Sequence, residues 1–248
     1  MEMQSQVQRH SVGPYHLLNL NTEDQIRKVA CQDPKSDQAL EAIVVPMRNM
    51  KSRKDSILAL TSVMSEYVQK VMDIRSTQRN TYIICEKPCG LPLHQYFHGP
   101  VDLLVIKEVL RNCLKGLAVL HMQLICHGNL SPATIYINSV TFNVKLCGFA
   151  AISREQQEPD LEYYQAPEVL RGQSPSQSSD IYSLGCIAAF LETGRNPFSP
   201  KHCPYRDQSL SSLVCQMARE SPASRPSAEK LLAHPFLALC TPRLPSSA

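Results

Sequence analysis

The sequence predicts an α+β fold in two unequal parts: a small antiparallel sheet with one helix, then a mainly helical body. Three observations carry this. Short apolar runs of strand character fill residues 13–86. A breaker, Lys87-Pro88-Cys89-Gly90, follows them. Beyond it, apolar residues recur at helical spacing. Runs of strands followed by runs of helices define this class. With 43% apolar residues among 248, the chain has the material for two lobes sharing one interface.

Tyr15–Leu20, Gln25–Cys31 and Leu40–Val45 read as strands separated by polar turns, after a polar, loose segment 1–12. Met50–Met64 carries Ile57, Leu58, Leu60 and Val63 and reads as a helix. Val68–Ile74 and Thr81–Glu86 are further strands, the second through the apolar run Tyr82-Ile83-Ile84-Cys85. The domain is expected over 13–238, with a strand lobe about 13–86, a hinge about 87–90 and a helical lobe about 91–238. A tail is expected over 239–248. In the helical lobe, Leu103, Ile106, Leu110, Leu114 and Leu117 form one stripe within 101–122. Ile181–Leu191 is apolar nearly all round and should be buried, and Leu210–Ala218 is another helix. Ser227 is a good N-cap, Glu229 complements the helix dipole, and Pro235 limits that last helix.

A net charge of +3 with dispersed basic residues gives no nucleic-acid patch; the cluster Arg48, Lys51, Arg53 and Lys54 reads as a solvated helix face. No apolar run approaches the roughly 18 residues that span a bilayer. No secretory signal is visible, so the cytoplasm is expected, with the nucleus as alternative. The 10 cysteines sit in apolar contexts, which suits reduced buried thiols. Cys85, Cys89, His94 and His98 are spaced too closely for a zinc finger, and no metal is expected.

The chemistry-bearing segment is His127-Gly128-Asn129-Leu130-Ser131-Pro132-Ala133-Thr134-Ile135-Tyr136-Ile137. It resembles the catalytic loop H-R-D-L-K-P-E-N-I-x-[LI] of protein kinases, with His127, Leu130, Pro132, Ile135 and Ile137 matching the frame. Further matches follow in order: Lys145-Leu146-Cys147-Gly148-Phe149-Ala150 where the Asp-Phe-Gly segment belongs, Ala166-Pro167-Glu168, Ser179-Asp180-Ile181-Tyr182-Ser183-Leu184-Gly185, Arg225-Pro226 and His234-Pro235-Phe236. The resemblance, to the serine/threonine protein kinases, is dense over 100–238 and sparse over 13–90. It implies a bilobal kinase-like fold. It also implies structural roles for His127, Phe149, Glu168, Asp180 and Arg225, with a buried Glu168–Arg225 ion pair and Asp180 accepting from the backbone near His127.

The departures fall on chemistry. Asn129 stands at the base aspartate, Ser131 at the loop lysine, Thr134 and Gly148 at the magnesium ligands, and Val44 at the phosphate-binding lysine of V-A-I-K. An amide has no proton affinity to lend, and magnesium favours carboxylate oxygen. No glycine lies between Gly13 and Gly90 to cradle a phosphate. Gly128 replaces the arginine that would dock a loop phosphate, and the activation segment offers Ser153, Tyr163 and Tyr164. After Asn196-Pro197-Phe198 the link to the helix at Leu210 is short. The expectation is therefore a catalytically degenerate branch: no enzyme, no catalytic residue and no metal. Its role would be a protein-binding scaffold or allosteric regulator in signalling, whose partner is a protein, an active kinase among the candidates, with no nucleic acid and no membrane insertion. The alternatives are a nucleotide sensor using the hinge backbone at Glu86 and Cys89, without Mg-dependent catalysis, or a weak atypical ATP-dependent kinase recruiting Arg27, Lys28 or His127.

Overall fold

The computed structural model describes residues 9–18, 27–35, 39–50, 54–149, 160–197 and 199–238. Ser153, Phe198, residues 51–53 and the segment 239–248 lie outside them.

Six strands form the first lobe: β1 (Arg9–Val12), β2 (Tyr15–Leu18), β3 (Arg27–Gln32), β4 (Ala39–Pro46), β5 (Val71–Ser76) and β6 (Asn80–Glu86). All pair antiparallel in the order β1-β2-β3-β4-β6-β5. Residues 9–12, expected to be loose, form the first strand, because Val12-Gly13-Pro14-Tyr15 makes a tight turn with Gly13 at φ +60°. The sheet curls enough for the Tyr15 hydroxyl on β2 to donate to Asp73 on β5, the opposite border strand, at 3.2 Å. Side chains alternate along β4. Leu40, Ala42 and Val44 enter a small outer cluster with Leu17, Val29, Tyr82 and Ile84. Ile43 and Val45 enter the large core shared with the helical lobe.

The helix expected over 50–64 is shorter, α1 (Lys54–Leu60), and buries Ile57 and Leu60. It stops where the Thr61 and Ser62 hydroxyls bond back to the carbonyls of Leu58 (2.7 Å) and Ala59 (2.8 Å). The strand expected from Val68 begins at Val71. Val68 instead makes a parallel bridge to Leu146 of the second lobe. Leu146 N–H donates to Tyr67 O, and Gln69 N–H to Leu146 O, both at 2.8 Å. These bonds stitch the lobes together behind the cleft.

Beyond the hinge come β7 (Leu91–Pro92), α2 (Leu93–Tyr96), α3 (Leu103–Met122), β8 (Ile135–Ile137) and β9 (Val144–Leu146). Then follow α4 (Pro167–Leu170), α5 (Gln177–Thr193), α6 (Gln208–Met217), α7 (Ala228–Leu232) and α8 (Pro235–Ala238). Asp102 caps α3 by accepting from Leu104 N–H at 2.8 Å, and Ser227 caps α7. Ser176 and Ser179 form a reciprocal capping box on α5. Helix α5 is buried on every side, at the centre of the lobe, and ends at Gly194 with φ +70°. A Cβ there would lie 2.6 Å from the Gly99 backbone, so the close approach also requires glycine.

Candidate functional site

The loop 127–137 lies between α3 and β8 and is tied from below by Asp180, one turn into α5. The Asp180 carboxylate accepts from His127 N–H and Gly128 N–H, both at 2.8 Å, and faces His121 Nε2 at 3.0 Å. Three donors compensate a carboxylate that is 1% exposed, which would otherwise be costly to bury. His127 is fully buried, with its ring 4.6 Å from that of Phe149. Burial pushes its imidazole down to about 4, against the pull of Asp180. Farther out, Arg225 grips Glu168 with two bonds, 2.6 and 2.9 Å, and also donates to the carbonyls of Ser178, Arg219 and Glu220. Every described contact of its guanidinium nitrogens is to oxygen, the geometry that makes a buried charge tolerable.

Among the described residues His127 Nε2 is buried without a hydrogen-bond partner, while the neutral side chains of Asn129, Ser131 and Thr134 bond backbone groups of the loop and of Gly148. The Asn129 amide donates to Gly148 O at 2.9 Å. The Thr134 hydroxyl donates to Asn129 O at 2.9 Å and accepts from Ser131 N–H at 3.0 Å. Ser131 Oγ accepts from Ala133 N–H at 3.2 Å. Asn129, Ser131 and Thr134 are all buried, and Gly148 adopts φ +69°. Beside the loop lies a hollow of about 320 Å³, lined by His94, Ser131, Ala133, Asp160, Tyr164 and Asn196 among others. The Tyr164 hydroxyl closes its far side on Asn196 Oδ1 at 2.7 Å.

The upper wall corrects one assignment. Val44, expected in place of a phosphate-binding lysine, turns into the outer cluster, away from the helical lobe. Strand alternation puts Ile43 on the inner face instead, paired in register with Lys28 of β3. Burial pushes up the thiols of Cys85 and Cys147; the Glu41 carboxylate adds to this and the Lys28 ammonium opposes it. Both Glu41 and Lys28 therefore act on the ground between β6 and Gly148. The side chain of Arg27 lies outside the described residues.

Reasoning from sequence missed the polar group at the back of the cleft. Gln69 is 3% exposed. Its amide donates to Glu41 Oε1 at 2.6 Å and Glu86 O at 2.9 Å. The Glu86 carboxylate in turn takes Lys70 N–H (2.8 Å) and Lys145 Nζ (2.5 Å). The signal was slight: a polar pair, Gln69-Lys70, set between Val68 and Val71. Cys89 is exposed.

The kinase resemblance implies a magnesium-bound nucleotide, and the donor set does not fit the metal. The two aligned positions offer a buried threonine hydroxyl, engaged with three backbone groups, and a glycine. Among the described residues no three His, Cys, Asp or Glu side chains gather as a metal group. No helix among them is long and apolar enough to cross a membrane.

Comparison with known proteins places these features. The family model of the protein kinase domain matches residues 42–237. Mitogen-activated protein kinase kinase 5 of Leishmania mexicana is 29% identical over 187 residues, 62% of this chain and 35% of that protein. Serine/threonine-protein kinase PLK4 of Drosophila virilis is 27% identical, over 63% of this chain and 23% of its own. The chain thus spans about a third or less of these relatives. The crystal structure of Rad53 1-466 in complex with AMP-PNP superposes with a TM-score of 0.78 at 19% identity, over 91% of this chain and 66% of that one. The fold is accordingly the bilobal kinase fold, with an antiparallel-sheet lobe and a helical lobe. The expectation of a non-enzyme is corrected by these findings. The relatives are named as kinases, and at 25–29% identity they point to an enzyme.

Proposed function

The chain belongs to the protein kinase domain family, and from that premise we propose that it works in signalling by binding another protein, as scaffold or allosteric regulator, an active kinase being among the candidate partners. The observation that carries this reading is a contrast within one lobe. Asp180, Glu168 and Arg225 complete the helical frame with multiple short bonds, while Asn129, Ser131 and Thr134 in the loop above them spend their side chains on backbone groups of the loop and of Gly148. A groove of about 270 Å³ on that lobe supplies a seat, lined by Glu162, Tyr163, Leu170, Tyr182, Pro197 and Pro200 among others. Leu170 is 57% exposed at its rim. Aromatic, leucine and proline walls beside a carboxylate suit a segment carrying an apolar side chain next to Lys or Arg. The test compares wild type with Leu170→Glu, a surface change that leaves the core alone. A partner captured by the wild type should bind the purified variant at least ten-fold more weakly, with thermal midpoints equal. Equal affinity for both would reject the groove as the seat.

A second reading, ATP-dependent phosphoryl transfer by displaced groups, accords with the names of the relatives. It draws on Lys28, whose charge acts on the Cys147 thiol beside Gly148. Transfer from ATP to a generic serine/threonine substrate should then fall at least 100-fold in Lys28→Met. Transfer that survives this change would remove Lys28 from the reaction.

A further inference from the structure

We infer that Gln69 is an internal occupant of the cleft's hinge end, its side-chain amide standing in for the amine of a ligand. The hinge strand's polar edge is already engaged. The Glu86 carbonyl accepts from Gln69 Nε2 at 2.9 Å. Lys87 N–H donates to Ala39 O at 2.9 Å. Pro88 has no N–H to give. An incoming planar base with an exocyclic amine therefore meets an acceptor pair, Glu86 O and the Glu41 carboxylate, that one buried amide already bridges.

The bridge is held from three directions. Glu41 sits on β4 opposite Cys85 and takes Gln69 Nε2 at 2.6 Å. The Gln69 backbone is fixed to Leu146 of the helical lobe. Glu86 is anchored by Lys145 from β9 and by Lys70 N–H. A Gln amide carries two N–H donors, and both are used here, one on a carboxylate. Charge-assisted hydrogen bonds of this kind are the stronger ones. The arrangement both closes the hinge end and spans the lobes, so a ligand gains these acceptors only by displacing Gln69. Ligand entry and release of the Gln69 bridge are thus one event.

Removing the amide should create affinity for an amine-bearing base and not for its carbonyl counterpart. The probes are adenosine and inosine, titrated calorimetrically onto the full chain in EDTA. Gln69→Ala should bind adenosine at least ten-fold more tightly than wild type, while inosine changes less than two-fold. Glu41→Gln keeps the volume but loosens the bridge, and should move adenosine affinity in the same direction by a smaller factor. If Gln69→Ala does not fold, Glu41→Gln alone decides. Equal adenosine affinity in wild type and the folded variants overturns the inference. So does an inosine gain as large as that for adenosine, which would mean mere opening of space. Neither result bears on the partner groove, which lies on the other lobe.

Discussion

Arg225 and Glu168, 57 residues apart, meet through two hydrogen bonds of 2.6 and 2.9 Å, with both side chains almost wholly buried. Cutting one side strands the other charge. Arg225→Ala should lower unfolding free energy by roughly 3–5 kcal/mol in urea titration. Replacing both partners with Met and Leu should cost less than the single truncation. A single-variant loss under about 1 kcal/mol would mean the pair is hydrated in solution.

His127 makes stability depend on pH. Burial holds its folded value near 4, below the ordinary 6.5, so the unfolded chain takes up a proton first as pH falls. The native state should keep this contribution in full above pH 6.5 and lose it progressively toward pH 4, roughly 3 kcal/mol in all. Burial is the largest single influence on the Glu168 carboxyl and works to raise it, yet the Arg225 hydrogen bond, a backbone hydrogen bond and the charges of Arg225 and Arg171 together outweigh it and keep the carboxyl below its usual value. That group therefore acts only at the acid end, leaving pH 6.5–5 to His127 and to His234, whose imidazole burial also pushes down. Melting curves of wild type and His127→Phe across this window should diverge in slope; parallel curves would contradict the assignment.

Gly90 closes the hinge at φ +94°, and a Cβ there would fall 2.0 Å from Ile137 O. Both the dihedral and the collision with backbone oppose any side chain. Gly90→Ala should destabilise the chain by more than about 1 kcal/mol, read as a drop in melting temperature. Gly172 has a similar φ, +91°, but open space around it. Gly172→Ala should cost less, which separates dihedral strain from contact.

Thr134 holds the loop from inside, donating to Asn129 O and accepting from Ser131 N–H. Thr134→Val keeps the shape and leaves both backbone groups unpaired in a buried site. A loss of roughly 1–3 kcal/mol is expected in denaturant titration. Faster hydrogen exchange at Ser131 should accompany it, and unchanged protection there would show that the hydroxyl is dispensable.

The helical lobe was legible because its signals are local. The Leu103–Leu117 stripe, the all-apolar run on α5 and the Ser227 cap each state their structure within a few residues. The strand lobe was harder, since a shift of one residue reverses which side chains face inward. That is why Val44 was placed in the cleft when Ile43 occupies its inner face. The frame residues of the site were readable from motif order. The Gln69–Glu41–Glu86–Lys145 group was not, because its members come from four separate segments and acquire meaning only when β4, β6 and β9 converge. The expectation of a non-enzyme rested on aligned side-chain types alone, and the kinase relatives overturned it.

The bond from Tyr15 to Asp73, with Arg75 packed over Gly13, brings opposite margins of the first sheet together. The strand order still ends on β1 and β5, so the roll fixes the sheet's curvature through side chains while leaving a backbone border on each of those strands for an extended chain from another molecule.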